Sequence, residues 1–163
     1  MAEFTRTREE VRALFDRWLT DNRKCEEERD WSRLADYYAD DAVYDYTMGA
    51  AGLRVARGKE EVRRLVMQRD MAGFDGWTFP YEWVVIDGDK VMTKWWNQAP
   101  VSKDDGTPYR VLGVSCIRLN NDLKIQEMHD CFDLGALLAM VKEVNRKQGA
   151  GIRIPEASEM ERI

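Results

Sequence analysis

The segment Lys124 to Phe132 holds the side chain best suited to proton transfer. Alternation along a strand puts Asp130 on the same face as Met128 and Phe132. Such apolar neighbours disfavour a charged carboxylate and raise its pKa toward the range that general acid–base catalysis uses. We therefore predict that Asp130 is a catalytic acid or base. The alternative is a structural aspartate bonded to a neighbouring strand or helix end.

The chain's one histidine, His129, directly precedes Asp130. Its ordinary pKa lies close to neutrality, which makes it a second candidate for catalytic proton transfer. Adjacent residues of a strand point to opposite faces, so both side chains reach one cavity only if a bulge intervenes. Alternation favours His129 on the outer face, and the sequence leaves open which of the two faces the cavity.

The N-terminal half predicts three helices and one strand that must position such a site. Thr7 and Glu10 form a capping box that begins a first amphipathic helix, which runs into the twenties. Asp30 begins a second helix, whose apolar face includes Trp31 and Leu34. A strand over 42–48, a glycine-containing loop over 49–58 and a third helix over 59–69 follow.

From residue 77 the pattern predicts four consecutive strands, over 77–86, 91–98, 109–119 and 124–132. Asp87-Gly88-Asp89 joins the first two as a tight hairpin, because Asp-Gly tolerates positive φ angles. Asp133 caps a final helix that Gly149-Ala150-Gly151 ends. This order of elements predicts an α+β fold with helices on one face of an antiparallel sheet.

Composition narrows the classes of partner. The 163 residues, 44% of them hydrophobic, predict one globular domain over 1–163 with a loosely packed tail over 150–163. A net charge of −5 without a basic cluster argues against nucleic acid as a partner. No apolar run suits a membrane and the N-terminus is charged, so we expect a cytoplasmic protein. Three scattered cysteines and one histidine predict no metal site, and no motif indicates a cofactor.

Two stretches of the sequence resemble known enzyme families. Tyr38 to Gly49 and Gly58 to Val62 are similar to the helix-to-strand passage of ketosteroid isomerases and polyketide-cyclase-like proteins. Lys124 to Leu134 resembles the final strand of limonene-epoxide hydrolases, and Asp45-Tyr46 resembles an Asp-Tyr pair of scytalone dehydratase. Over residues 8–146 the resemblance implies the nuclear transport factor 2-like fold. That fold is a cone-shaped roll in which a curved antiparallel sheet wraps around N-terminal helices and encloses one apolar cavity.

The resemblance also implies which side chains face that cavity. They are Tyr44, Tyr46 and Met48 of the first strand, Trp95, Asn97 and Ser115 of the middle strands, and Met128, Asp130 and Phe132 of the last, with Phe15 and Trp18 at the mouth. We expect Tyr44 and Tyr46 to donate hydrogen bonds to a substrate oxygen and the others to bind the substrate. The relatives' ionic sets are incomplete here, because Tyr46 occupies the position of the isomerases' aspartate base. Likewise, Trp95 and Asn97 stand where the hydrolases have an Arg-x-Asp pair.

These residues predict a cofactor-independent lyase or isomerase that uses general acid–base catalysis. Its substrate would be a small aromatic or polycyclic alcohol or carbonyl compound, and dehydration and retro-aldol cleavage both stay open. The alternatives are a non-catalytic binder of a hydrophobic ligand and a polyketide-type cyclase. Apolar residues on both faces of the strand over 109–119 further predict a homo-oligomer, with a dimer the first expectation.

Overall fold

The computed structural model describes residues 3–148 and 152–162, and its framework is one curved six-stranded sheet. The strands are β1 (Tyr38–Thr47), β2 (Leu53–Arg57), β3 (Tyr81–Asp87), β4 (Lys90–Ser102), β5 (Pro108–Leu119) and β6 (Ile125–Phe132). They lie in the order β2-β1-β6-β5-β4-β3. Four of the five neighbouring pairs are antiparallel, but β1 and β6 run parallel, where the sequence pattern predicted an antiparallel sheet throughout.

Helices cover one face of this sheet. Helix α1 (Arg8–Glu28) begins at the predicted capping box of Thr7 and Glu10. A 3₁₀ helix (Ser32–Tyr37) follows, and helix α2 (Lys59–Glu61) continues as a π-helix (Val62–Asp70). Helix α3 (Leu134–Gln148) begins after Asp133, whose side chain accepts a hydrogen bond from the backbone N–H of Ala136 at 2.9 Å. The α+β fold class predicted from the sequence is therefore confirmed.

The strands alternate between a buried and an open face. On β5 the side chains of Val111, Ile117 and Leu119 are buried under the helices. On its opposite face Leu112 is 40% exposed. A period of two is what a sheet with one covered face requires. The covered face supplies both the core and the wall of the site described below.

Several predicted boundaries differ from the structure. Strand β2 lies inside the segment predicted as a loop, and β1 begins at Tyr38, where a helix was expected. Strand β3 begins at Tyr81 because Pro80 has no N–H group to donate to a strand ladder. Strand β4 continues to Ser102, into a segment predicted as a loop. The predicted end of the last helix at Gly149-Ala150-Gly151 lies outside the described residues.

The tail packs against the domain, although the sequence predicted loose packing. The backbone N–H of Leu53 donates to the carbonyl of Glu161 at 2.8 Å, and the N–H of Glu161 donates back to Leu53 at 2.7 Å. Gly52 makes this approach possible, because a Cβ atom there would stand 2.1 Å from the carbonyl oxygen of Glu161. Glu161 therefore pairs with Leu53 at the edge of the sheet through one isolated antiparallel bridge.

Candidate active site

A cavity of about 170 Å³ lies between the covered face of the sheet and the helices. Its wall is mostly aromatic and aliphatic, with ring systems contributed by α1, β1, β3, β4 and β6. Only a few polar side chains interrupt this surface, and they are Asn22, Asp70, Asn97, Asp130 and Arg153 together with the tyrosine hydroxyls. An apolar cleft with a few convergent polar groups is the usual form of a small-molecule site.

Asp130 is one of the polar groups of the wall, and it is 6% exposed. Its Oδ2 accepts a hydrogen bond from the Tyr44 hydroxyl at 2.6 Å, and its Oδ1 accepts one from the Ser115 hydroxyl at 2.6 Å. Burial raises the pKa of Asp130 to about 6, and these two hydrogen bonds oppose part of that rise. At neutral pH the carboxylate is therefore ionised and close to its titration range.

The neighbouring strands fix the geometry of Asp130. Ser115 lies directly across from Asp130 in the β5–β6 ladder, and its hydroxyl accepts a hydrogen bond from Trp95 Nε1 at 2.9 Å. The Trp95 ring packs directly against Gly113, where an added Cβ atom would stand 2.5 Å from Trp95 Cζ2. A chain of donors thus runs from Trp95 through Ser115 to the carboxylate and limits its orientation.

A second buried carboxylate, Asp70, lies at the end of the π-helix and lines the same cavity. It accepts hydrogen bonds from the Tyr46 hydroxyl at 2.9 Å, from Arg54 Nε at 3.0 Å and from Arg153 Nη1 at 3.3 Å. Burial raises the pKa of Asp70, while the guanidinium of Arg54 opposes that shift. The guanidinium groups of Arg54, Arg153 and Arg69 all lie within salt-bridge distance of Asp70, so this carboxylate is paired with positive charge.

The tail forms one end of the cavity. Ile152, Arg153 and Ile154 all line it. Glu159 holds this segment in place, because its carboxylate pairs with Arg153 at 2.5 Å and with Arg69 at 2.8 Å. Three arginines and two carboxylates thus anchor residues 152–162 beside Asp70.

The outer face of the sheet carries His129. Its Nδ1 contacts the Asp45 carboxylate, and both side chains lie on the face opposite Tyr46 and Asp130. The expectation that His129 takes part in catalysis within the cavity is therefore wrong. The prediction fails because β6 has no bulge between residues 128 and 130, so adjacent side chains point to opposite faces of the sheet.

Comparison with known proteins places this architecture in a family. The SnoaL-like domain model matches residues 11–128. The chain belongs to the SnoaL-like family. The match ends two residues before Asp130. A search of curated proteins finds no match to this SnoaL-like chain.

Solved structures with the same fold share little sequence with this SnoaL-like chain. An NTF2-like protein from Burkholderia thailandensis is 17% identical over 84% of this chain and 98% of its own, with a TM-score of 0.60. An NTF2-like protein from Anabaena variabilis is 16% identical over 79% of this chain and 93% of its own, with a TM-score of 0.58. A steroid delta-isomerase from Pseudomonas aeruginosa is 17% identical over 85% of this chain and 91% of its own, with a TM-score of 0.55. These likenesses show the NTF2-like fold alone.

Most residues predicted for the cavity of this SnoaL-like chain lie in its wall. They are Trp18, Tyr44, Tyr46, Met48, Trp95, Asn97, Met128, Asp130 and Phe132. Phe15 does not close the mouth, because it is 1% exposed and packs in the core. Ser115 does not reach a ligand either, because it is fully buried behind Asp130. Both residues were predicted to bind substrate, and both instead support the wall from behind.

The two predicted tyrosine donors are also used differently. The hydroxyls of Tyr44 and Tyr46 donate to Asp130 and Asp70, so their protons are not free for a substrate oxygen.

Sequence reasoning missed Asp70, Arg54, Arg153 and Tyr81 in the SnoaL-like site. Alternation gives no signal for Asp70 on a helix, and the inward Arg54 was hidden in a segment predicted as a loop.

Within residues 3–148 and 152–162, no helix is both long and apolar enough to cross a membrane. No group of three or more His, Cys, Asp or Glu side chains in those ranges is arranged to hold a metal ion.

Proposed function

We propose that this chain is a cofactor-independent lyase or isomerase in which Asp130 moves a proton on a small aromatic or polycyclic alcohol or carbonyl compound. The observation that supports this most is the state of Asp130, a buried carboxylate on an apolar cavity wall. Among the described residues its hydrogen-bond partners are the neutral hydroxyls of Tyr44 and Ser115. A carboxylate with raised pKa and no cationic partner is suited to general base catalysis near neutral pH.

The proton transfers need no other reactant. In a retro-aldol cleavage, Asp130 takes the proton of a substrate hydroxyl, the C–O⁻ becomes C=O, and the adjacent C–C bond breaks. Its electron pair is delocalised into the neighbouring carbonyl or ring and then takes the proton back from Asp130. In a dehydration, Asp130 removes a C–H proton, the electron pair forms C=C, and hydroxide leaves as water after accepting that proton. An isomerisation returns the proton to another carbon.

A polyketide-type cyclase is consistent with the same residues. Closing a ring by an intramolecular aldol addition is the reverse of the retro-aldol step, with Asp130 removing a carbon-bound proton and returning it to the new alkoxide. The match to the SnoaL-like family supports a cyclase as one form of the proposed function. In each case the proton is removed and returned by one group.

The size of the cavity restricts the substrate. Its volume of about 170 Å³ is close to the ~150 Å³ of an engineered apolar cavity that accepts benzene. Aromatic side chains on several sides favour a flat ligand. We therefore propose a substrate with one ring or two small rings and a short oxygen-bearing side chain.

Turnover in D₂O tests this function. Candidate aryl alcohols, aryl ketones and aldol-type compounds are incubated with the protein, and mass spectrometry follows cleavage, loss of water or uptake of deuterium. Asp130→Asn should lower the rate by about 10²-fold or more, because the general base is lost. Asp75→Asn is the matched control, since Asp75 is exposed and outside the cavity, and it should keep full activity. Full activity of Asp130→Asn would remove the proposal.

A non-catalytic binder is the second candidate, and one observation favours it. Both oxygens of Asp130 already accept hydrogen bonds from the protein, as expected of a structural aspartate. A binder would retain a co-purifying hydrophobic ligand, and its Asp130→Asn variant would bind that ligand with unchanged affinity. The ligand would take up no deuterium from D₂O. Mass spectrometry of the material that co-purifies separates the two candidates.

A further inference from the structure

Four tyrosine hydroxyls belong to side chains of the cavity wall, and three of them already donate to the protein. The Tyr38 hydroxyl donates to Met128 Sδ at 2.9 Å, the Tyr44 hydroxyl to Asp130 and the Tyr46 hydroxyl to Asp70. A thioether or an ionised carboxylate can only accept, so the direction of these bonds is fixed. Toward a ligand these three hydroxyls can therefore only accept.

Tyr81, at the start of β3, is the fourth tyrosine and differs from the others. Its hydroxyl accepts a hydrogen bond from Trp18 Nε1 at 3.2 Å, and an indole nitrogen can only donate. Within residues 3–148 and 152–162, no protein atom accepts the Tyr81 proton. That proton is available to a ligand in the cavity.

The surroundings of Tyr81 favour donation. Burial raises the pKa of Tyr81 above its usual range, and the negative charge of Asp130 raises it further, so the hydroxyl stays protonated at neutral pH. The hydrogen bond from Trp18 lowers the pKa of Tyr81 and polarises its O–H group, which strengthens the donor. Trp31, which also lines the cavity, has an Nε1–H without an acceptor among the described residues. That atom is buried, so it cannot donate to a ligand as Tyr81 can.

We propose that Tyr81 is a second catalytic residue, which donates a hydrogen bond to the substrate oxygen that becomes negative when Asp130 removes a proton. This inference rests on the proposed function, since it assigns the group that works with Asp130. It also narrows the substrate class to ring compounds whose oxygen can carry charge, such as phenolates, enolates and alkoxides next to the ring. Donors placed where charge develops stabilise it most in a site that excludes water.

Binding of two matched probes tests the donor without a known substrate. The probes are 4-nitrophenolate and nitrobenzene, which share a ring and differ in the charged oxygen. Both are titrated, at a pH that ionises the phenol, into Asp130→Asn, which removes the repulsion between the carboxylate and the phenolate. Adding Tyr81→Phe should weaken 4-nitrophenolate by about 10-fold or more, as expected for a hydrogen bond to a charged oxygen, and nitrobenzene by less than about twofold.

Tyr37→Phe is the control for loss of a tyrosine hydroxyl. The Tyr37 hydroxyl donates to Asp21 outside the cavity, so this variant should bind both probes as the Asp130→Asn parent does. Equal 4-nitrophenolate affinity with and without Tyr81→Phe would overturn the proposal, as would a parent that binds nitrobenzene but not 4-nitrophenolate. Neither result depends on turnover, so failure of the role of Tyr81 is distinguishable from failure of the proposed function.

Discussion

Asp130 and Asp70 share the cavity wall, but their neighbours give them different chemistry. Burial raises the pKa of Asp70, and the positive charges of Arg54 and Arg153 oppose that rise. Among the described residues the hydrogen-bond partners of Asp130 are two hydroxyl groups, so burial dominates and its pKa rises to about 6. Asp130 is therefore the carboxylate whose pKa lies near neutrality without an arginine partner among the described residues, which suits it to take and return protons.

This difference predicts a stability effect for Asp130→Asn. The pKa of Asp130 is higher in the folded chain than its ordinary value of 3.8, so folding takes up a proton between pH 3.8 and about 6. The contribution of Asp130 to the free energy of unfolding therefore falls as pH rises through that window, by up to about 3 kcal/mol. At pH 8 we expect Asp130→Asn to be more stable than the unsubstituted chain, with the gain shrinking toward pH 4.

Denaturant unfolding at pH 8 and pH 4.5 measures this effect. Asp75→Asn, which changes an exposed carboxylate, is the control and should have the same stability as the unsubstituted chain at both values. A clear loss of stability in Asp130→Asn at pH 8 would show that the carboxylate is a structural group, and the catalytic assignment would then lose its support.

At the residue scale, strand alternation predicts most of the site. It places Tyr44, Tyr46 and Asp130 on one face, because a period of two leaves each side chain only one choice. It does not predict hydrogen-bond direction, so the two tyrosines were interpreted as substrate donors. It also fails for the pair of Arg54 and Asp70, which is 16 residues apart in sequence and forms only in the folded chain.

The elements of the fold follow the sequence where patterns are apolar and regular. The capping box, the Asp-Gly hairpin and the strands β5 and β6 lie close to the predicted positions. Strand β2 was missed because its inward positions hold Arg54 beside Ala56, which does not resemble an apolar alternation. The packing of the tail was not predicted for a similar reason, since charged side chains hold residues 152–162 in place.

Gly52 offers a test of the tail as an element of the cavity wall. Gly52→Ala should push residues 152–162 away from β2, because φ is +111° and the new Cβ would stand 2.1 Å from the Glu161 oxygen. We expect amide hydrogen exchange in residues 152–162 to be at least about tenfold faster and nitrobenzene to bind more weakly.

Gly106→Ala is the matched control for Gly52→Ala. It introduces similar backbone strain at φ +82°, but no atom lies within 4 Å of the added Cβ. Its tail should exchange at the rate of the unsubstituted chain. Unchanged exchange in Gly52→Ala would show that the tail does not depend on this contact.

At the scale of the whole molecule, the cone-shaped fold and its cavity lined by aromatic side chains could be predicted from the order of elements and from the resemblance. The outer face of the sheet exposes a group of apolar side chains, and they are Trp83, Val85, Met92 and Leu112. Exposed apolar groups clustered on one face favour association of two copies. The homodimer stays a prediction, which light scattering tests: we expect a dimer at micromolar concentration, and a monomer would remove it.

The titration of Asp130 tests the central claim most directly. The ¹³Cγ resonance of this carboxyl, assigned by its absence in Asp130→Asn, is followed by NMR from pH 3 to pH 9. Because burial outweighs the hydrogen bonds from Tyr44 and Ser115, we predict a midpoint near 6. A midpoint at or below the ordinary value of 3.8 would contradict the account, since Asp130 would then be a stabilised structural anion and not a poised base.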